Sequence, residues 1–297
     1  MEASRFKKKI HDVLLHLLQL NALSVPANIE ALLKEKLGEE RGAGSEIAVQ
    51  QIGLILDNFK YAAEKKLPAC QDTGMINIFI YYSDKVKFPA DFKNVIDQTV
   101  SEATNSIPLR PNTVDPFTGK NHGDNLGHNT PPVYYEFDPT IDYIKIIVLN
   151  KGGGAENMSK LLMLNASIEL EDIEKEILKM VKQAGGKPCP PIILGIGIGG
   201  DALNCMYLAK KALSRPLFDR NPRKEARELE ERLLHKINEL NVGVMGLGGS
   251  TTCLDVRVEY AFRHPASFPV GVIFQCYSHR ISSAELDANL EVEYRHE

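Results

Sequence analysis

The chain has 297 residues, of which 43% are hydrophobic and 25% charged, and this ordinary globular composition allows a large core in one or two domains. The net charge of -4 and the isoelectric point near 6.1 exclude a strongly basic protein, so we expect no nucleic acid partner. The sequence has no run of about 18 apolar residues, so we expect no membrane partner. The amphipathic N-terminus differs from a signal peptide, which favours a cytoplasmic location.

The first 65 residues carry the apolar spacing of three α-helices. The first helix is predicted to end near Leu20, and the second to stop at Gly38, because glycine commonly closes a helix. The third is predicted to begin after Ser45, a good N-cap residue, and to bury one apolar face. That face consists of Ala48, Ile52, Ile55 and Phe59. We therefore predict a helical N-terminal layer over residues 1–65.

Helix and strand patterns are mixed from residue 66 to the end of the chain. Strands are predicted at 76–82, 133–138, 143–149, 192–194, 254–262 and 269–275, and helices at 91–106, 168–183, 201–213 and 222–240. The segment 107–132 has almost no apolar pattern, and its prolines indicate an ordered, functional loop. We see no internal repeat and no linker. The sequence thus predicts a mixed α/β fold and a single domain over 1–297, in which residues 66–297 form a sheet-containing core flanked by helices.

The five cysteines are few and scattered, which argues against a disulfide framework and leaves ligand, catalytic and core roles open. Their spacing is uninformative, since no C-x-x-C pair or ferredoxin motif occurs. Their surroundings differ: Cys70, Cys189 and Cys276 lie in predicted loops or at the edge of an apolar run. We interpret these three as ligands of one metal cluster. For Cys205 and Cys253 a core position is favoured, with Cys253 as the alternative third ligand.

Other motifs allow more than one interpretation. Gly195, Gly197 and Gly200 match G-x-G-x-x-G after a strand and before a helix, which is typical of dinucleotide binding. No acidic strand end follows about 20 residues later, so a tight strand-to-helix turn is the preferred interpretation. The glycines at 152–154 indicate either an anion-binding backbone loop or a plain turn. Arg110 lies between a leucine and a proline and is a stiffly placed cation.

Seven motifs occur together in one order along the chain. They are Cys70–Gly74, Arg110–Asn112, Gly123–Asn125, Asn150–Asn157, Gly186–Pro190, Gly195–Asp201 and Gly248–Thr252. In this combination the chain resembles the α subunit of the iron–sulfur hydro-lyases, class I fumarate hydratase and L(+)-tartrate dehydratase. The resemblance covers nearly the whole chain and does not separate the two substrates. It implies a hydro-lyase, with fumarate and malate as the first choice and tartrate and oxaloacetate as the second.

The resemblance also implies the cofactor. It is a [4Fe-4S] cluster held by Cys70, Cys189 and Cys276, with the fourth iron left open. An iron without a protein ligand is a Lewis acid that binds the carboxylate and hydroxyl oxygens of the substrate.

Four further sets of residues follow from the same resemblance. Arg110 is expected to bind a substrate carboxylate through its two-pronged guanidinium. Gly153 and its neighbours are expected to supply backbone donors to the substrate. Gln71 and Asp72 adjoin the ligand Cys70 and are expected to face the site. Asp72 is expected to transfer a proton to the departing hydroxyl, and Gln71 to take part in catalysis and to bind substrate. His264 is a further catalytic candidate for the same pocket.

Members of this family also have a β part, which supplies the catalytic base. The chain ends at Glu297, soon after the third cysteine region, so we expect a separate β subunit and an oligomer. A non-catalytic iron–sulfur or zinc redox sensor is the alternative from another class, and an NAD-dependent oxidoreductase is third. Arg110 and the polar loop 107–132 favour the enzyme, because a sensor needs no residue that binds a dicarboxylate.

Overall fold

The computed structural model describes residues 2–86 and 91–296. The helices in these ranges are α1 (Glu2–Leu23), α2 (Ala27–Gly42), α3 (Glu46–Lys65), α4 (Phe92–Ser106), α5 (Gly153–Glu156), α6 (Leu170–Ala184), α7 (Ala202–Ala212) and α8 (Lys224–Glu239). The strands are β1 (Met75–Tyr82), β2 (Val133–Phe137), β3 (Tyr143–Lys151), β4 (Lys160–Leu164), β5 (Ile192–Ile198), β6 (Cys253–Tyr260), β7 (Phe268–Gln275), β8 (Ile281–Asp287) and β9 (Val292–Arg295). The mixed α/β class is confirmed. No helix in the described residues is long and apolar enough to cross a membrane.

The described residues divide into two compact units. The first unit comprises residues 1–27, 58–152 and 280–297, and the second comprises 28–57 and 153–279. Each unit has its own sheet and its own apolar core. The prediction of a single domain over 1–297 stays a prediction.

The helical N-terminal layer is confirmed by α1, α2 and α3. The predicted apolar face of α3 is buried along its whole length. The predicted end of α2 is too early, because the helix continues past Gly38 to Gly42. Gly38 is exposed, and a Cβ there would have no atom within 4 Å. Glycine is therefore tolerated at this surface position and does not end the helix.

The first unit contains a five-stranded sheet in the order β2-β1-β3-β8-β9. Only β1 and β2 among its paired strands are parallel. The start of β1 pairs with the end of β3, Met75 opposite Lys151, and the end of β3 pairs with the start of β8, Leu149 opposite Ile281. The loop before β1, the residues after β3 and the residue before β8 therefore emerge at one end of this sheet.

The second unit contains a four-stranded sheet in the order β4-β7-β5-β6. Strand β5 follows the Cys189 loop, and β7 ends one residue before Cys276. Since β5 and β7 are antiparallel, with Ile193 opposite Gln275, both cysteines lie at the same end of this sheet. The turn between β6 and β7 lies at the opposite end.

The motif of Gly195, Gly197 and Gly200 has a packing role. Strand β5 is longer than predicted and includes the first two of these glycines. Cβ atoms at both positions would lie 2.0 Å from backbone carbonyl oxygens of α7, so only glycine permits this close helix–strand contact. The Asp201 side chain accepts hydrogen bonds from two amides of the first turn of α7. Asp201 thus occupies the helix N-terminus that a dinucleotide phosphate would use, which argues against NAD binding.

Candidate active site

The structure separates the five cysteines by burial. Cys205 and Cys253 are 0% and 1% exposed, which confirms their core positions, and burial raises the pKa of both thiols. Cys70, Cys189 and Cys276 are partly exposed, and none of the five is in a disulfide. Metal binding requires an accessible sulfur that can lose its proton. Among the five cysteines, the partly exposed residues are thus the three predicted ligands.

Two of these three cysteines come together in the second unit. The backbone amide of Tyr277 donates a hydrogen bond of 3.4 Å to the carbonyl oxygen of Cys189. Cys189 has a φ of 56°, a left-handed backbone that is uncommon for a residue other than glycine. The sulfur of Cys276 lies 3.2 Å from the hydroxyl oxygen of Ser278. Both loops therefore have defined backbone positions at this end of the sheet.

The third cysteine, Cys70, lies in a loop of the first unit that is held from several directions. Oδ1 of Asp72 accepts hydrogen bonds from the amide of Gly74, at 2.9 Å, and from Nδ2 of Asn112, at 3.2 Å. The carbonyl oxygen of Thr73 accepts a bond of 3.0 Å from the side chain of Asn150. These bonds fix the backbone around Asp72, whereas the adjacent Gln71 is exposed.

Arg110 is attached to this loop through its backbone. Its amide donates to Oγ1 of Thr73 at 3.0 Å, and its carbonyl oxygen accepts from Nδ2 of Asn125 at 3.2 Å. The side chain is exposed, and its guanidinium has no hydrogen-bond or ion-pair partner within the described parts of the chain. The main chain of Arg110 is thus fixed beside the Asp72 loop, while its charged group is available to a ligand.

Gly153 begins the short helix α5 of the second unit and is exposed. The neighbouring Gly154 contacts the loop that leads to Cys189, since a Cβ at 154 would lie 2.7 Å from the carbonyl oxygen of Lys187. Helix α5 therefore packs against the backbone of that cysteine loop. This position is compatible with the backbone donors predicted from the sequence.

His264 is not brought to the two cysteines of the second unit. It is exposed in the turn between β6 and β7, where its Nδ1 accepts a 3.1 Å hydrogen bond from the amide of Ala266. The 8 residues of β7 separate this turn from Cys276, a length of about 26 Å at ~3.3 Å per residue. Of the predicted site residues, His264 thus has the least support.

The donor chemistry fits an iron–sulfur cluster. Among the residues that the structure describes, no group of three or more His, Cys, Asp or Glu side chains is arranged to hold a metal ion. A [4Fe-4S] cluster makes a different demand, because each cysteine binds a different iron of a bulky group. Three partly exposed thiols in loops are suitable ligands for such a cluster.

Three residues around Asp72 were not singled out from the sequence, although two of them lie in the motifs and the third follows Cys276 by four positions. They are Asn112, Asn150 and Arg280, whose side chains bond to residues 72–74. Their partners are 38 to 208 positions away in the chain. Local spacing contains no signal for such contacts, and only the recurrence of asparagine next to Arg110 and Lys151 could have suggested them.

Comparisons with known proteins identify the family of this chain. A family model described as Fumarate hydratase (Fumerase) matches residues 12–285. A Methanocaldococcus jannaschii protein provisionally named L(+)-tartrate dehydratase subunit alpha is 43% identical over 95% of this chain and 100% of its own length. The L(+)-tartrate dehydratase subunit alpha of Escherichia coli is 30% identical, over 96% of this chain and 93% of its own. This chain belongs to the fumarate hydratase family and is an enzyme of the hydro-lyase class.

One further relative is longer. A Geobacillus stearothermophilus protein provisionally named fumarate hydratase class I is 36% identical over 95% of this chain, which covers 56% of that relative.

Proposed function

We propose that this chain is the cluster-bearing α subunit of a hydro-lyase that interconverts fumarate and malate. The observation that carries the proposal is the separation of the five cysteines into three accessible loop thiols and two buried ones. L(+)-tartrate dehydration is the second candidate, supported by the names of the relatives that are 43% and 30% identical. Both reactions place a carboxylate and a hydroxyl group in the same site.

The proposed cofactor is a [4Fe-4S] cluster held by Cys70, Cys189 and Cys276. When bound, such a cluster supplies a Lewis-acidic iron. The remaining tasks belong to the protein. The guanidinium of Arg110 binds a substrate carboxylate, because its planar fork matches two carboxylate oxygens.

Asp72 is the residue proposed to transfer a proton to the hydroxyl group that leaves the substrate. Its carboxyl group is oriented by two hydrogen bonds to Oδ1, from the amide of Gly74 and from Asn112. A group held in one orientation transfers a proton efficiently, because no reorganisation is needed in the transition state. Gln71, exposed on the same loop, is proposed to bind substrate, and the backbone of Gly153 is proposed to donate to it. His264 stays a candidate for this site from the sequence alone.

We also propose a separate β subunit that supplies the catalytic base. The names of two relatives, which contain the words subunit alpha, support a second kind of subunit. An oligomer and a cytoplasmic location stay predictions. A non-catalytic redox sensor is the alternative, and the available guanidinium of Arg110 favours the enzyme over it.

The test is the iron content per chain after identical anaerobic reconstitution of single cysteine variants. We expect Cys70→Ser, Cys189→Ser and Cys276→Ser to lose iron, the absorbance near 400 nm and the thermal stabilisation that a bound cluster provides. Cys205→Ala is the matched control, and it should retain its iron and lose about 1 kcal/mol of stability. Loss of iron in Cys253→Ser together with retention of iron in Cys276→Ser would make Cys253 the third ligand in place of Cys276. Retention of iron in all five variants would refute both the cluster and the proposed mechanism.

A further inference from the structure

Arg280 is a buried arginine beside the Asp72 loop of the first unit. Its side chain is almost inaccessible, since the residue is 6% exposed. The guanidinium donates a hydrogen bond to the backbone carbonyl oxygen of Asp72. The carbonyl oxygen of Arg280 itself accepts a 3.0 Å bond from the amide of Asn150. Arg280 therefore connects the residue before β8, the end of β3 and the loop before β1.

Gly152 borders both the guanidinium and the carboxyl group of Asp72. A Cβ at position 152 would lie 2.7 Å from Nη2 of Arg280 and 4.0 Å from Oδ2 of Asp72. The first distance is shorter than any ordinary contact of a Cβ atom, so a larger residue would displace the arginine. A Cβ at 152 would thus push the guanidinium away from the position in which it bonds the carbonyl oxygen of Asp72.

Burial of Arg280 is not explained by an ion pair. Within the described residues, no carboxylate lies within 4.0 Å of its guanidinium nitrogens, and its Nε is buried without an acceptor. Burying a cation without a counter-charge is unfavourable, so a residue with only a stabilising role would normally be apolar or paired. The unfavourable burial indicates that the position of this group serves the site.

We propose that Arg280 is a positioning residue for Asp72. Hydrogen bonds from Gly74 and Asn112 hold Oδ1 of Asp72, and Arg280 holds the carbonyl oxygen of the same residue. With side chain and main chain both held, the carboxyl group keeps one direction. This inference rests on the proposed role of Asp72 in proton transfer. Lysine should not replace Arg280, because an ammonium group on a flexible stem lacks the planar fork.

The first experiment needs neither cluster nor activity. Amide hydrogen exchange is measured at Gly74 in the cluster-free chain, by mass spectrometry with residue-level fragmentation. We expect exchange about tenfold faster in Arg280→Met and Gly152→Ala, because each loosens the turn that protects this amide. Lys145→Met is the matched control: it removes a cation from the same β3–β8 strand pair, where Lys145 bonds Glu285 at 2.9 Å, and should leave Gly74 unchanged.

The second experiment uses the cluster-loaded chain assembled with its β subunit. We expect Arg280→Met and Arg280→Lys to lower kcat about tenfold while KM changes less than about twofold, since substrate binding is retained and proton transfer is impaired. Gly152→Ala keeps Arg280 but pushes its guanidinium out of place. It therefore tests the same contact even if Arg280→Met fails to fold.

Unchanged exchange at Gly74 in both variants would overturn the inference. Faster exchange with unaltered kcat would show that Arg280 holds the loop but does not position Asp72 for catalysis, which also overturns it. Wild-type enzyme that loads no cluster or hydrates neither substrate would refute the proposed function instead. In that case the exchange result alone would decide whether Arg280 orders the Asp72 turn.

Discussion

Arg110 differs from Arg280, the buried arginine at the Asp72 loop, because its backbone is fixed while its side chain is exposed. Its amide is bonded to Thr73, but its charged group has no partner among the described residues. A surface arginine that served only solubility would not need a backbone anchored to the Asp72 loop. The most direct explanation is a ligand that carries a carboxylate.

The substitution Arg110→Lys tests this explanation, because it keeps the charge and removes the fork. We expect kcat/KM of the assembled enzyme to fall by about 2 kcal/mol, roughly thirtyfold, the range for charge-assisted hydrogen bonds. The absorbance of the cluster should stay the same. Arg227→Lys, at an exposed position of α8, is the control and should have the wild-type rate. An unaltered rate in Arg110→Lys would show that Arg110 has a structural role and does not bind the substrate carboxylate.

The sequence allowed the cysteines to be sorted because burial leaves a local signature. Cys205 and Cys253 lie in helix and strand patterns, whereas Cys70 and Cys189 have proline, glycine and polar neighbours. The contacts of Arg280 and Asn112 leave no such signature, since their partners are 208 and 40 positions away. Individual ligands could thus be predicted from their neighbours, but the hydrogen bonds that orient Asp72 required the structure.

At the scale of elements, patterns that bury a complete face were predicted well. The helices α4, α6 and α8 and the strands β1 and β3 were all expected close to their observed bounds. The strands β4, β8 and β9 were missed. Their sequences are short or mix polar with apolar residues, and β4 and β9 lie at sheet edges where only one neighbour supplies hydrogen bonds. Edge strands bury less side chain, so their periodicity is weak.

The end of α2 gives a prediction at this scale. Glu40 is fully buried, and its Oε1 accepts bonds from the hydroxyl and amide of Thr251, both at 2.6 Å, and from the hydroxyl of Ser250 at 2.9 Å. Burial acts to raise the pKa of Glu40, but hydrogen bonds from Thr251, Ser45 and Ser250 outweigh it and hold the pKa below its ordinary 4.5. The carboxylate thus connects α2 to the Gly248–Thr252 motif.

A carboxyl group with a lowered pKa contributes stability that is present above pH 4.5 and is lost as the pH falls through its folded value. Glu40→Gln should therefore destabilise the chain by about 1–3 kcal/mol at neutral pH, since it replaces a charged acceptor and buries an amide donor. Denaturant unfolding at several pH values measures the difference from wild type. That difference should shrink below pH 4.5. Glu239→Gln, at an exposed position of α8, is the control. If the difference in unfolding free energy between wild type and Glu40→Gln does not change with pH, the lowered pKa of Glu40 is contradicted.

At the scale of the whole molecule, two compact units each carry part of the proposed machinery. The first contains Cys70, Asp72 and Arg110, and the second contains Cys189 and Cys276. The proposed reaction also needs a base that removes a proton from a carbon atom of the substrate. We propose that the β subunit supplies this base.

The corresponding prediction concerns activity before and after assembly. The cluster-loaded chain alone should hydrate fumarate at less than about one hundredth of the assembled rate, the factor typical of a missing general base. Addition of a purified β subunit should restore turnover up to a one-to-one ratio, measured by fumarate absorbance under anaerobic conditions. The control is the cluster-loaded Arg110→Lys chain, which should bind the β subunit to the same ratio yet turn over slowly, because its defect is in substrate binding. If the isolated chain turns over at the full rate, the base lies in this chain. His264→Asn would then be the first variant to measure, because His264 is exposed and its assignment came from the sequence alone.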